Sequence, residues 1–244
     1  ILFCGMGASG IVGDLVKDYL YDEIKVPIIV NKNSEVPEFV NKDTLVFIIS
    51  YSGKSKETLK CYRKCKLKRA KIIGITANKN LRFKHKVLVP NKLPSRVILY
   101  YSLFPVLIIL SKLKLIKDKS KEIDKAVKSI KTFNKNLRKV KEIANQLYKR
   151  IPVIYSNFTY RAVGYYWKTQ LNEVSKVFAL QNFFPEVEHN EIEVSNSENF
   201  EIINLKETKK SLSAMIYYML SADYVAYYLA KANGISDPLK TPRN

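Results

Sequence analysis

Apolar residues in the first part of the chain fall into short β-branched runs, set apart by polar turns and by longer stretches with helical spacing. Ile1–Gly5, Val26–Val30, Thr44–Ser50, Lys71–Thr76 and Val87–Pro90 read as strands. Ile11–Tyr21, Ser55–Arg69 and the mostly apolar Arg96–Leu113 read as helices, and Asn31–Pro37 is rich in turn formers. Strands alternating with helices imply a parallel sheet covered on both faces. Lys117–Arg150 differs. Ile123, Val127, Ile130, Phe133 and Leu137 recur at three- and four-residue steps in a Lys-rich background, which predicts an amphipathic connecting helix with a break near Asn134–Asn136. The alternation then restarts. Pro152–Tyr155 is a strand, Tyr160–Gln170 a helix, Val177–Leu180 extended and Phe200–Asn204 a strand. A long apolar helix follows over Ser211–Ala232 and stops near Gly234. The expected organisation is an α/β protein with an N-terminal subdomain over 1–116, a connector over 117–150 and a C-terminal subdomain over 151–244. Both subdomains open with a buried strand, a polar turn and a helix, as a duplication would.

Composition narrows the class. The chain has 244 residues, 47% apolar and 26% charged, which suits a folded protein with a substantial core. The run Val97–Leu110 is interrupted by Ser102 and Pro105 and is too short to span a bilayer, and no signal-peptide pattern is visible. The reading is a cytoplasmic protein with no membrane partner. The chain begins with Ile1 inside a strand pattern and without an initiator Met, so residues beyond one or both ends are expected in the natural protein. Cys4, Cys61 and Cys65 are an odd, sparse set. Two of them stand four apart on a helix, one stands elsewhere and no histidine is near, which reads as reduced thiols and as no metal site.

The net charge of +20 raises nucleic-acid binding as a reading. The lysines are spread along the whole chain, densest at Lys54–Lys71 and Lys112–Lys141, where they fit exposed helix faces. No nucleic-acid module or aromatic-interleaved motif accompanies them, so a solvated exterior and no nucleic-acid partner is the preferred reading.

Two turns carry candidate chemistry. Gly5-Met6-Gly7-Ala8-Ser9-Gly10 lies at a strand-to-helix junction, where glycines permit close approach and helix N-terminal amides suit a phosphate. The spacing fits a dinucleotide fingerprint, but that motif wants a carboxylate about 20 residues on. Here the second strand ends in Val30 and Asn31, so a smaller phosphate ligand fits better. The second turn, Ser50-Tyr51-Ser52-Gly53-Lys54-Ser55-Lys56-Glu57-Thr58, holds the hydroxyls of Ser50, Ser52, Ser55 and Thr58 within nine residues, more than a helix cap needs. Gly7, Ala8 and Ser9 with Ser50, Ser52, Ser55 and Thr58 are the expected phosphate-binding residues.

These turns resemble those of the sugar-isomerase (SIS) domain, and specifically of the bifunctional phosphoglucose/phosphomannose isomerases. Ala8 stands for that family's second glycine, Lys54 for an asparagine and Ser55 for a threonine. The resemblance continues through Leu93-Pro94-Ser95-Arg96, Trp167–Lys176 and Phe184–Ile192, in family order. It implies two SIS-type subdomains, each a three-layer α/β/α sandwich with a mainly parallel sheet. It also implies interconversion of glucose 6-phosphate and fructose 6-phosphate, with mannose 6-phosphate as a further substrate, through a metal-independent cis-enediol and with no cofactor. By resemblance Glu173 is the base that moves the proton between C1 and C2. His189 assists ring opening, reaching the site from the other subunit of a homodimer, and Arg96 stabilises the enediolate. The family's C-terminal lysine has only Lys240 as a candidate, and Val174 replaces the asparagine that usually follows the glutamate. His85, in the basic stretch Arg82–Lys86, reads as a surface loop residue. A non-catalytic sugar-phosphate sensor with the same loops is the alternative.

Overall fold

The computed structural model describes residues 1–93, 98–191 and 199–238. The chain divides into two compact units, Ile1–Lys119 and Ser120–Asn244.

The first unit is built on a five-stranded sheet, all parallel, in the order β2-β1-β3-β4-β5. Its strands are β1 (Leu2–Cys4), β2 (Ile29–Asn31), β3 (Leu45–Ile49), β4 (Lys71–Thr76) and β5 (His85–Leu88). Between them run α1 (Ala8–Tyr19) and α2 (Lys56–Leu67), and α3 (Ile98–Lys112) follows. Alternation along the central strands splits the core in two. Leu2, Cys4, Val46 and Ile48 join Val40, Cys61 and Cys65 on the α2 face. Phe3 and Phe47 stack at 4.9 Å on the other face, where α1 packs so closely that a Cβ at Gly13 would lie 2.7 Å from Phe3. Each fully buried aliphatic side chain here contributes about 1.5–3 kcal/mol over an exposed one.

Three boundaries differ from the sequence reading. α1 starts at Ala8 rather than Ile11, because Gly7 at φ 53° turns the chain and lets Ala8 and Ser9 join the first helical turn. β2 begins only after Pro27, which has no N–H to give a ladder. β5 begins at His85, so this exposed histidine lies in a strand and not in a loop. Lys119 also departs from the picture of an exposed lysine face. It is buried, pairs with Glu23 at 2.8 Å and lies over the Tyr19 ring.

The second unit holds a three-stranded parallel sheet in the order β7-β6-β8, formed by β6 (Ile151–Asn157), β7 (Leu180–Phe184) and β8 (Phe200–Leu205). Its helices are α4 (Ser120–Thr132), α5 (Leu137–Gln146), α6 (Arg161–Gln170), the five-residue α7 (Glu186–Asn190) and α8 (Leu212–Ala232). α4 and α5 are joined by a 3-10 turn, Phe133–Asn136, where the sequence places a break. Both pack on α8, with the Phe133 ring against Tyr217 and Tyr224. α6 packs on α8 through Trp167, whose Nε1 donates to Tyr218 O, and through Tyr166, whose hydroxyl donates to Asp223. The extended run expected at Val177–Leu180 instead starts pairing at Leu180. Lys176 adopts a left-handed φ of 57°, and Asn172 Oδ1 accepts from the Ala179 amide, so the chain only then aligns with β6. No described helix is long and apolar enough to cross a membrane.

Candidate active site

In the first unit both candidate turns emerge from the carboxyl ends of adjacent strands, β1 and β3. The sheet reverses its strand order between these two strands, which is where open α/β sheets form their ligand crevice. The structure therefore brings Gly7, Ala8, Ser9, Ser50, Ser52, Ser55 and Thr58 to one edge of one sheet. Gly7 caps α1 without a side-chain hydrogen bond, leaving the positive end of a 12-residue helix for a ligand. The Ser50 hydroxyl is buried and has no partner among the described residues, a state that costs energy unless something polar arrives. Ser55 caps α2 and shares a 3.0 Å hydrogen bond with Thr58, and the Ser52 hydroxyl accepts from the Lys54 amide.

The second turn is braced by residues the sequence reading did not single out. Gly53, at φ 65°, lies against Asn78 so closely that a Cβ there would sit 2.8 Å from Asn78 Nδ2, and that amide nitrogen donates to Ser52 O. The Tyr51 hydroxyl donates to Leu93 O and accepts from Leu93 N, both at 2.9 Å. No sequence spacing links 51 to 93 or 53 to 78; the pairing of β3 with β4 brings Asn78 to Gly53, and Leu93 arrives only after β5 has paired with β4. Arg96 and Lys240 lie outside the described residues.

In the second unit the turn after β6 has a different make-up. It is a 3-10 turn, Phe158-Thr159-Tyr160, with no glycine. The Arg161 guanidinium covers the Phe158 and Phe183 rings, and Tyr160 donates to Lys209 O. Glu173 sits in a π turn, Leu171–Ser175, that ends α6. Such turns are frequent at functional sites because they swing one side chain out of helical register. Its carboxylate is exposed and has no side-chain partner among the described residues. His189 is exposed on α7, just past the carboxyl end of β7. Glu191, which ends α7, accepts from Asn182 Nδ2 at 2.6 Å and bonds Tyr155, whose phenol is pushed up to about 12 by burial first and then by Glu191.

Within this unit the structure does not bring Glu173 and His189 together. α6 runs back from the carboxyl end of β6, so its terminal π turn lies at the amino-terminal end of the sheet, whereas α7 lies at the carboxyl end. The five residues of β7 separate them, roughly 13 Å of strand alone.

Comparison with known proteins places these features in a family. Residues 1–82 match the SIS domain, and residues 136–211 match the bacterial phospho-glucose isomerase C-terminal SIS domain. A bifunctional phosphoglucose/phosphomannose isomerase of Caldicellulosiruptor bescii is 33% identical, over 96% of this chain and 75% of the relative. The protein of the same name from Thermoplasma volcanium is 29% identical, over 98% and 86%. Among solved structures, glucosamine-6-phosphate deaminase of Thermotoga maritima shares the fold at a TM-score of 0.82 and 16% identity, covering 99% of this chain and 88% of that one.

Proposed function

The chain belongs to the bifunctional phosphoglucose/phosphomannose isomerase family, and from that premise we propose that it interconverts glucose 6-phosphate and fructose 6-phosphate and accepts mannose 6-phosphate as well. It is a sugar-phosphate isomerase. The observation that carries the substrate assignment is the orphaned, buried Ser50 hydroxyl between two helix starts on one sheet edge. A phosphate dianion supplies the missing acceptor and meets the positive end of α1.

With the phosphate held there, the sugar must open before its carbons can exchange a proton. His189 serves the ring-opening proton transfer. The Glu173 carboxylate then removes the proton from C2 of the open aldose, giving a cis-enediol, and returns it to C1 to leave the ketose. Return to C2 from either face yields glucose or mannose 6-phosphate. Arg96, carried over from the family motif, opposes the negative charge of the enediolate.

The opposite-end placement of Glu173 and His189 within the second unit supports a homodimeric active site. One chain cannot offer both groups to adjacent carbons of one sugar from that unit alone, whereas Glu173 of one copy and His189 of the partner subunit can serve a single substrate. The same reading puts the enzyme in the cytoplasm, in glycolysis and gluconeogenesis. A coupled assay of fructose 6-phosphate formation and consumption tests it directly. No turnover of either hexose phosphate by well-folded protein would favour the sensor reading instead.

A further inference from the structure

Cys4, which the sequence reading set apart from Cys61 and Cys65, converges with them. Cys4 ends β1, Cys61 and Cys65 lie one turn apart on α2, and their sulfurs all sit within 4.8 Å of one another in the apolar core of the first unit. All three are free thiols and fully buried. Cys4 and Cys61 share a sulfur–sulfur hydrogen bond at 2.7 Å, inside the roughly 3.5 Å at which even two carbon atoms touch. We propose that Cys4 and Cys61 form a site of reversible oxidation that closes a disulfide between β1 and α2, with hydrogen peroxide as the oxidant.

Geometry favours this pair. The covalent length is about 2.05 Å, so the sulfurs need to approach by well under 1 Å. Cys65 also hydrogen-bonds both sulfurs, but the 2.7 Å approach is the one between Cys4 and Cys61. Charge favours it too. Asn31 Nδ2 donates to Cys61 Sγ at 3.6 Å. Hydrogen bonds from Cys4 and Cys65, then one from Asn31 and the nearby charge of Lys64, hold the Cys61 thiol down at about 4 against the effect of burial, while hydrogen bonds to Cys61 and Cys65 and then burial push Cys4 up. Of the three thiols Cys61 is the one held toward the thiolate, the form that attacks.

The step balances. The Cys61 thiolate attacks one peroxide oxygen, the O–O bond breaks, and hydroxide leaves to be protonated to water. The Cys4 sulfur then attacks the resulting sulfenic acid, an S–S bond forms, and the Cys4 proton departs with the hydroxyl as a second water. Two sulfurs lose two electrons in total and one peroxide is reduced to two waters. Burial selects a small uncharged oxidant over glutathione-sized disulfides. A zinc ion fits less well. Tetrahedral bonds of about 2.3 Å hold sulfurs roughly 3.7 Å apart and call for a fourth ligand, whereas the polar neighbour at hand, the Asn31 amide, presents its N–H to Cys61 Sγ. The covalent step stands independently of the isomerase reading.

The test treats the reduced full chain with hydrogen peroxide, quenches with catalase, unfolds in acid, alkylates and maps peptides without reductant. The expected product carries a Cys4–Cys61 disulfide and one alkylated residue, Cys65, and dithiothreitol returns it to three alkylated cysteines. Cys65→Ser should still close the bond; Cys4→Ser and Cys61→Ser should not. The wild-type map decides even if a variant fails to fold. Three alkylated cysteines after peroxide, a bond through Cys65 or between chains, or irreversible sulfinic acid alone would overturn the proposal. So would zinc retained at one ion per reduced chain that blocks oxidation.

Discussion

The two units wire their sheets alike and use them differently. In each, the second strand and the third flank the first, β2-β1-β3 in one and β7-β6-β8 in the other, and a helix follows the first strand through a short turn. In the first unit that turn is glycine-rich and its helix start is left open, beside an unpaired serine hydroxyl. In the second, the equivalent turn is filled by Phe158 and Tyr160, and Arg161 is spent on aromatic rings. Its candidate chemistry sits instead on the π turn ending α6 and on α7. The pair teaches that topology offers a ligand edge, and that side chains decide whether it stays open.

The strongest test strikes the second unit. Glu173→Gln should lower kcat by about two to four orders of magnitude with substrate affinity largely kept, read by steady-state kinetics and direct binding. Parental turnover in that variant would remove the base from the reading. Next comes division of labour between copies. Glu173→Gln and His189→Asn should each be nearly inactive, and after subunit exchange the mixture should recover about a quarter of parental activity, since half the dimers are mixed and each has one intact site. No recovery in confirmed heterodimers would place both groups on one chain.

The first unit should respond in binding rather than chemistry. Ser50→Ala should raise KM about tenfold or more with little change in kcat, the loss of one hydrogen bond to a charged group. Its unfolding midpoint should hold or rise, because the buried hydroxyl has no protein partner to lose and its unpaired burial is a cost. A smaller effect concerns the hold on α7. Tyr155 is protonated in the fold up to about 12, against 10 for the free phenol. Its contribution is therefore complete below pH 10 and is lost as pH rises from 10 through 12. Thermal melts across that window should fall less steeply for Tyr155→Phe than for the parent. The smallest expected effect is none: a chelator should leave the isomerase rate unchanged, and loss of rate restored by a divalent cation would refute metal independence.

Much of this was legible in the sequence. The β-branched runs of the first unit mark strands because both faces of a parallel sheet are buried, and Lys71–Thr76 matches β4 residue for residue. The break near Asn134–Asn136 was visible as a polar Asn-Lys-Asn stretch within an otherwise continuous helical spacing. What stayed hidden depends on contacts between strands distant in sequence. Asn78 meets Gly53 because β3 and β4 are neighbours, and Cys4 meets Cys61 because α2 crosses β1. The reading of Cys4 as standing apart failed for that reason. β7 was misplaced because a left-handed Lys176, a conformation that lysine does not announce, delays the pairing.

The phenol of Tyr51 has a further consequence. One oxygen satisfies both backbone groups of Leu93, so the serine-rich turn and the chain at Leu93 behave as a single mechanical part. Any engineering of the anion grip at Ser50–Ser55 will be felt 40 residues downstream, and retuning one without the other first requires cutting that tether, for instance with Tyr51→Phe.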